Sequence, residues 1–184
     1  MESLGDLAAR TLIIGLAPGL RGANRTGRPF TGDAAGGFLF EMLRRFGLAT
    51  GRYRADGDDD IRLVDVRITN AVRCLPPANK PVAAEINACR PYLSAEIAAM
   101  PDLHTIVTLG RLAHDATLRS LGLTPSSVPF GHAASQTITA DRRTLRVISS
   151  YHCSRYNTQT GRLTEDMFAD IFRMVSGGTS INSA

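Results

Sequence analysis

Four short runs rich in leucine and β-branched residues, "RTLIIGL" (10–16), "IRLVDVRITNAV" (61–72), "HTIVTLG" (104–110) and "TLRVISSYH" (144–152), alternate along the chain with segments of helical period. That alternation limits the fold more than any other feature. Apolar runs of this length read as strands buried on both faces. Between them, 37–48 places Phe38, Met42, Leu43 and Phe46 at helical spacing, with Gly47 as a stop. Residues 82–100 are alanine-rich and helical, and Pro91 marks a kink or a break into two shorter helices. Helices are also expected over 111–122 and over 164–175, the latter with Thr164 as N-cap. Strands separated by helices pair in parallel. The expected fold is therefore α/β, a three-layer sandwich with a central, mainly parallel four-stranded sheet flanked by helices.

With 184 residues, 43% of them hydrophobic, the chain can bury one substantial core. We expect a single domain over 1–176 and a frayed polar tail over 177–184. No apolar run approaches the roughly 20 residues that span a bilayer. The opening "MESLGDLAAR" lacks the basic start and apolar stretch of a secretory signal. Three cysteines, an odd number, suit a reducing compartment rather than a disulfide framework. The expectation is a cytoplasmic protein with no membrane association. A net charge of +4 permits a polyanionic partner without demanding one.

Ligands of parallel sheets bind outside the carboxyl ends of the strands. The first, second and fourth strands end there in polar loops, 17–33, 70–80 and 151–162. The first of these, within "GLAPGLRGANRTGRPFTGD" (15–33), is dense in glycine and carries Arg21, Arg25, Arg28 and a lone acid, Asp33. Its spacing matches neither G-x-G-x-x-G nor the Walker pattern, which disfavours a mononucleotide cofactor. Backbone amides and arginines can still grip nucleic-acid phosphates. Asp33 suits a helix cap as well as a catalytic acid. Phe30 suits a core as well as a stacking platform. Asn70 offers one donor and one acceptor, fitting a nucleobase edge or an ordinary turn. His152, at a strand end beside polar residues, can donate to a charge that develops in a transition state, though nothing local separates it from a structural histidine. The acidic run "DGDDD" (56–60) lacks the EF-hand register and reads as a solvated turn. His104, His114 and His132 show no ligand spacing. Cys74 and Cys89 flank a proline-rich loop and make half of a four-thiolate site.

Taken together, "GLAPGLRGANRTGRPFTGD", "ITNAVRCLPPANKP" with the later "CRPYL", and "SYHCSRYNTQTGRLT" resemble, in order, the motifs of the type-5 uracil-DNA glycosylases (UDGb) of the uracil-DNA glycosylase superfamily. The resemblance runs from about Gly5 to Phe172. It implies a DNA repair enzyme that hydrolyses the N-glycosidic bond of uracil or another deaminated base in DNA, and the size of the chain fits a monomer. It further implies that Phe30 stacks on the flipped base, Asn70 reads its edge, His152 donates to the base oxygen, and Asp33 handles the attacking water or stabilises the sugar cation. Ala17 falls where other branches of the superfamily carry Asp or Asn, and an apolar residue there fits tolerance for hypoxanthine, xanthine and ethenocytosine. Arg25, Ser154 and Arg155 are expected along the DNA, with Tyr156 as the intercalating wedge.

Two departures from the family pattern stand out. Cys153 occupies the place of the usual proline, and no Cys-x-x-Cys precedes Cys74 and Cys89 in "MESLGDLAAR". Two thiolates cannot ligate a four-iron cubane, so no cofactor is expected unless a cysteine-bearing segment precedes this chain. A non-catalytic damage-binding module of the same fold is the alternative reading, and an unrelated α/β nucleotide-binding enzyme the third.

Overall fold

The computed structural model describes residues 1–77 and 80–177. The expected tail lies outside these residues except for Gly177, which ends the last helix. The strands are β1 (Thr11–Gly15), β2 (Ala49–Thr50), β3 (Arg62–Leu63), β4 (Val66–Asn70), β5 (Thr105–Leu109), β6 (Ala134–Ala140) and β7 (Arg143–Ser150). The helices are α1 (Ala23–Thr26), α2 (Ala34–Arg45), α3 (Ala83–Ala98), α4 (Arg111–Ser120), α5 (Arg155–Gln159) and α6 (Glu165–Gly177).

A five-stranded sheet in the order β4-β1-β5-β7-β6 forms the middle layer. β1 pairs in parallel with β4 and β5, and β5 with β7, so the four expected strands run the same way. The fifth, β6, is antiparallel to β7 and forms the edge. It escapes sequence reading because "ASQTITA" is polar on its outward face, and because its hairpin turn is Asp141-Arg142 rather than a glycine pair. Both turn residues have positive φ, 51° and 63°, the geometry usually signalled by Asn-Gly.

Apolar residues leave the sheet on both faces. Ile13, Ile68, Val107 and Ile148 pack with Leu39, Phe40, Leu43, Phe168 and Phe172 of α2 and α6. Leu12, Ile14, Ile106 and Val147 pack with Leu93, Ile97, Ala116 and Leu118 of α3 and α4. The three-layer architecture follows from this two-sided burial.

Two expected elements differ in detail. The run 61–72 is divided at Asp65 (φ 58°). β3 pairs with β2 outside the main sheet, and only β4 joins β1. Asp65 holds the two strand starts together by accepting from Arg10 N–H at 2.7 Å and Arg10 Nε at 2.6 Å. Pro91, expected to kink or break a helix, lies inside one continuous α3, whose buried Leu93, Glu96 and Ile97 anchor the turns beyond it.

Candidate active site

β1, β4 and β7 end at one edge of the sheet, with Gly15 in register with Asn70 and Leu109 with Ser150. The chain winds from β1 outward to β4 and then crosses back to β5 on the other side of β1. Such a reversal leaves a crevice at the strand ends. A pocket of about 240 Å³ opens there, lined by Leu16, Ala17, Gly19, Ala23, Phe30, Asp33, Ala35, Asn70 and His152. Five residues singled out in the sequence, Ala17, Phe30, Asp33, Asn70 and His152, thus share one cavity although they are scattered between positions 17 and 152 and belong to no common element. A larger cavity, about 500 Å³, lies between α3, α4 and the β6–β7 hairpin. Its one cationic group, Arg143, is engaged by the carbonyls of Ile97, Met100 and Leu103, where it closes the end of α3. Its two serines are engaged as well, Ser94 donating to the Ser120 carbonyl and Ser120 to the Ala116 carbonyl, and none of the residues singled out in the sequence lines it.

Asp33 is both cap and wall. Its Oδ1 accepts from Gly36 N–H at 3.0 Å, which starts α2 three residues ahead of the expected 37. Its Oδ2 lies over Gly22, where an added Cβ would stand only 2.7 Å away. Phe30 takes a left-handed backbone (φ 52°) and is 7% exposed. Strain of this kind persists where surrounding structure imposes it and clusters at functional sites. The Phe30 ring lies 6.1 Å from the His152 ring at 27°.

Gly15 makes this packing feasible. A Cβ there would lie 2.3 Å from Asn70 Oδ1 and 2.6 Å from the Phe30 ring. Gly15→Ala should therefore push both groups out of the pocket. We expect a folded protein in which the activity of the site falls by about tenfold or more, read from a single-turnover rate beside a melting curve.

His152 is held through its backbone, where its carbonyl accepts from Asn157 Nδ2 at 2.8 Å. Among the described residues neither ring nitrogen has a hydrogen-bond partner, so both are available to a ligand. Burial lowers its pKa below the usual imidazole value, and the charge of Asp33 offsets only part of that. The ring is neutral at pH 7 and keeps one N–H to donate.

The next residue explains how the chain does without the usual proline. Cys153 is buried and its Sγ donates to the Ala35 carbonyl at 3.6 Å, tying the histidine loop to the first turn of α2. Burial pushes its thiol up to about 12. It is a packing group, not a nucleophile.

Asn70 is 4% exposed at the end of β4. Its flanks are anchored by Glu96, a residue the sequence reading passed over. One Glu96 oxygen accepts from Arg67 Nε at 2.7 Å, and the other from Thr69 Oγ1 at 2.8 Å and Arg73 at 2.7 Å. Burial alone would raise this carboxyl, but hydrogen bonds from Ser3, Arg67 and Thr69 outweigh it and hold the group below the usual range.

None of the residues expected along the DNA lines the pocket. Tyr156, in α5, is 71% exposed. Arg155 beside it is exposed, and Ser154 caps α5 by accepting from Asn157 N–H at 3.4 Å. Arg25 is exposed, but its guanidinium reaches back to the carbonyls of Arg21 and Ala55. Arg28, grouped with it as a phosphate contact, is committed elsewhere. It forms a two-pronged pair with Asp59, 2.6 Å on each prong. The acidic run is therefore not simply a solvated turn, because the Asp59 side chain is 0% exposed. Its carboxyl lies at about 2, held down by the Arg28 hydrogen bond against the cost of burial. A carboxylate depressed in the folded state adds stability above its unfolded value near 4, and that stability is lost as pH falls toward 2. Asp59→Asn should lower the melting temperature at pH 7 and flatten the acid limb of stability between pH 4 and 2, as followed by circular dichroism.

Of the other histidines, His114 is a satisfied core residue, engaging Thr108, Ser149 and the Val128 carbonyl. Cys74 is exposed and Cys89 half-buried. Among the described residues no group of three or more His, Cys, Asp or Glu side chains could hold a metal ion. These residues alone do not fit a four-thiolate cluster, and no step below runs through one. No helix among the described residues is long and apolar enough to cross a membrane.

A sequence model of the uracil DNA glycosylase superfamily matches residues 2–176. The chain belongs to this superfamily. It is 48% identical over 171 residues to a type-5 uracil-DNA glycosylase of Thermus thermophilus, covering 93% of this chain and 76% of that protein. A type-5 uracil-DNA glycosylase of Pyrobaculum aerophilum is 41% identical over 169 residues, covering 92% of this chain and 72% of its own. Against the type-5 uracil-DNA glycosylase of Mycobacterium tuberculosis the identity is 43% over 171 residues, and the match spans 63% of that relative's length. The superfamily's fold is the one described above, and the pocket lies on its strand-end crevice.

Proposed function

We propose that the chain is a monofunctional uracil-DNA glycosylase that hydrolyses the bond between uracil and deoxyribose and leaves an abasic site. The observation that carries this reading is the meeting of Phe30, Asp33, Asn70 and His152 around one pocket. Its likeness to relatives named type-5 uracil-DNA glycosylases supports the same substrate.

Extruding a base costs a few kcal/mol, least for one that is mispaired. Stacking on Phe30 offsets about 1–3 kcal/mol of that, and Tyr156 fills the gap left in the helix. Asn70 meets the polar edge of the base. As the C1′–N bond breaks, its electron pair leaves with the base, and the neutral His152 donates a hydrogen bond to the base oxygen that gains charge. The sugar becomes oxocarbenium-like and faces the Asp33 carboxylate. Water adds its oxygen to C1′, and its surplus proton ends on the departed base. Ala17 brings no polar group to the pocket wall, so the reading extends to hypoxanthine, xanthine and ethenocytosine. A monomer acting in the cytoplasm completes it.

The test is base release from oligonucleotides carrying each of these lesions, followed by alkaline cleavage. Strand breaks at uracil are expected. Intact strands with retained gel-shift binding would assign the chain to damage binding without catalysis.

A further inference from the structure

The segment that carries the acidic run packs along the loop that carries Asp33, at several independent points. Arg28 is gripped by Asp59, and the same Asp59 oxygen pair accepts from the N–H groups of Arg54 at 2.7 Å and Ile61 at 3.3 Å. Arg25 donates to the Ala55 carbonyl. A Cβ added at Gly57 would stand 3.7 Å from Thr31 and 3.8 Å from Thr26. Tyr53 stacks on Phe40 of α2 with ring centroids 4.7 Å apart, beneath the Arg28 guanidinium.

The hydroxyl of Tyr53 has the most pointed position. It accepts from Gly32 N–H at 3.3 Å, one residue before Asp33. It also stands 2.9 Å from where a Cβ on Gly36 would be, and Gly36 is the residue whose N–H holds Asp33 Oδ1. One phenol oxygen is thus wedged between the two backbone sites that frame the carboxylate. Burial, and after it the charge of Asp33, keeps this phenol protonated. No part of the reaction described above uses Tyr53, Arg28 or Asp59.

We infer that residues 52–60 form a clamp on the Asp33 loop and that Tyr53 is its positioning residue, setting the direction of the Asp33 carboxylate through the amides of Gly32 and Gly36. This rests on the proposed role of Asp33 in base release. A phenol with its ring packed on Phe40 is stiff, and a fixed oxygen at the base of a glycine-rich loop limits how far the carboxylate can turn. Mispositioning a reacting group by as little as ~1 Å can cost about a hundredfold in rate.

Tyr53→Phe removes the hydroxyl and keeps the ring. In the full chain, single-turnover release of uracil from duplex DNA should fall about tenfold or more, while the Kd for the same DNA stays within about twofold. The loss should vanish in an Asp33→Asn background, where there is no carboxylate to aim. An unchanged rate in Tyr53→Phe overturns the inference. So does an equal fractional loss in both backgrounds, which marks a general structural role. If Asp33→Asn is itself fully active, the role of Asp33 fails first and is recognised as such. Arg28→Lys keeps the charge and loses the two-pronged grip. It provides a second variant whose rate must fall with the same dependence on Asp33.

Discussion

His152→Ala is expected to lower the rate of uracil release by a hundredfold or more, the usual effect of removing one aligned donor to a developing oxyanion, about 2.7–4 kcal/mol. Single-turnover kinetics on a uracil-containing duplex measure it. The ring's surroundings account for the size of the effect. Burial keeps His152 neutral, and neither nitrogen is engaged by the protein among the described residues. A neutral imidazole is a matched donor for an oxygen gaining negative charge, and it needs no counter-ion while it waits. Its lowered pKa also sets the pH dependence. Activity should persist as pH falls through the usual imidazole value near 6.5 and fail only below it. In that window the unfolded chain binds a proton that the folded one resists, so stability declines as pH falls below about 6.5. Nuclear magnetic resonance titration of the His152 ring would read the same pKa directly, and a value above 6.5 would contradict this picture.

Asp33→Asn should cost a comparable hundredfold in rate with little change in melting temperature. The amide oxygen can still accept from Gly36 N–H and keep α2 capped, so the substitution separates the charge from the cap. Asp33→Ala removes both and should add about 1 kcal/mol of destabilisation. Because the Asp33 charge partly raises the pKa of His152, the asparagine variant should also lower it further. Full activity in Asp33→Asn beside an inactive His152→Ala would take the water-handling role from Asp33 without touching the chain's membership of the superfamily.

Much of this molecule is legible residue by residue. Buried parallel strands advertise themselves as apolar β-branched runs, and their order with helices dictates where their ends lie. That is why Asn70 and His152 could be picked out as strand-end groups and Phe30 and Asp33 as features of the loop between β1 and α2. Less legible is whatever depends on a partner far along the chain. Arg28 and Asp59 look like a phosphate-facing arginine and a solvated acid until the loops carrying them are packed together. Cys153 looks like a liability beside the histidine until its thiol is seen on the Ala35 carbonyl. Glu96 gave no signal at all, being one acid in an alanine-rich helix.

Periodicity and strand–helix order are local properties of the chain, and they suffice for the sandwich of helices about parallel strands and for the edge at which ligands gather. Packing between distant segments was needed for β6 to extend the sheet, for the acidic run to clamp the Asp33 loop, and for glycine at position 15 to let Phe30 and Asn70 close on the same space. Those outcomes depend on contacts between residues distant in sequence, where burial and geometry override what each residue would do alone.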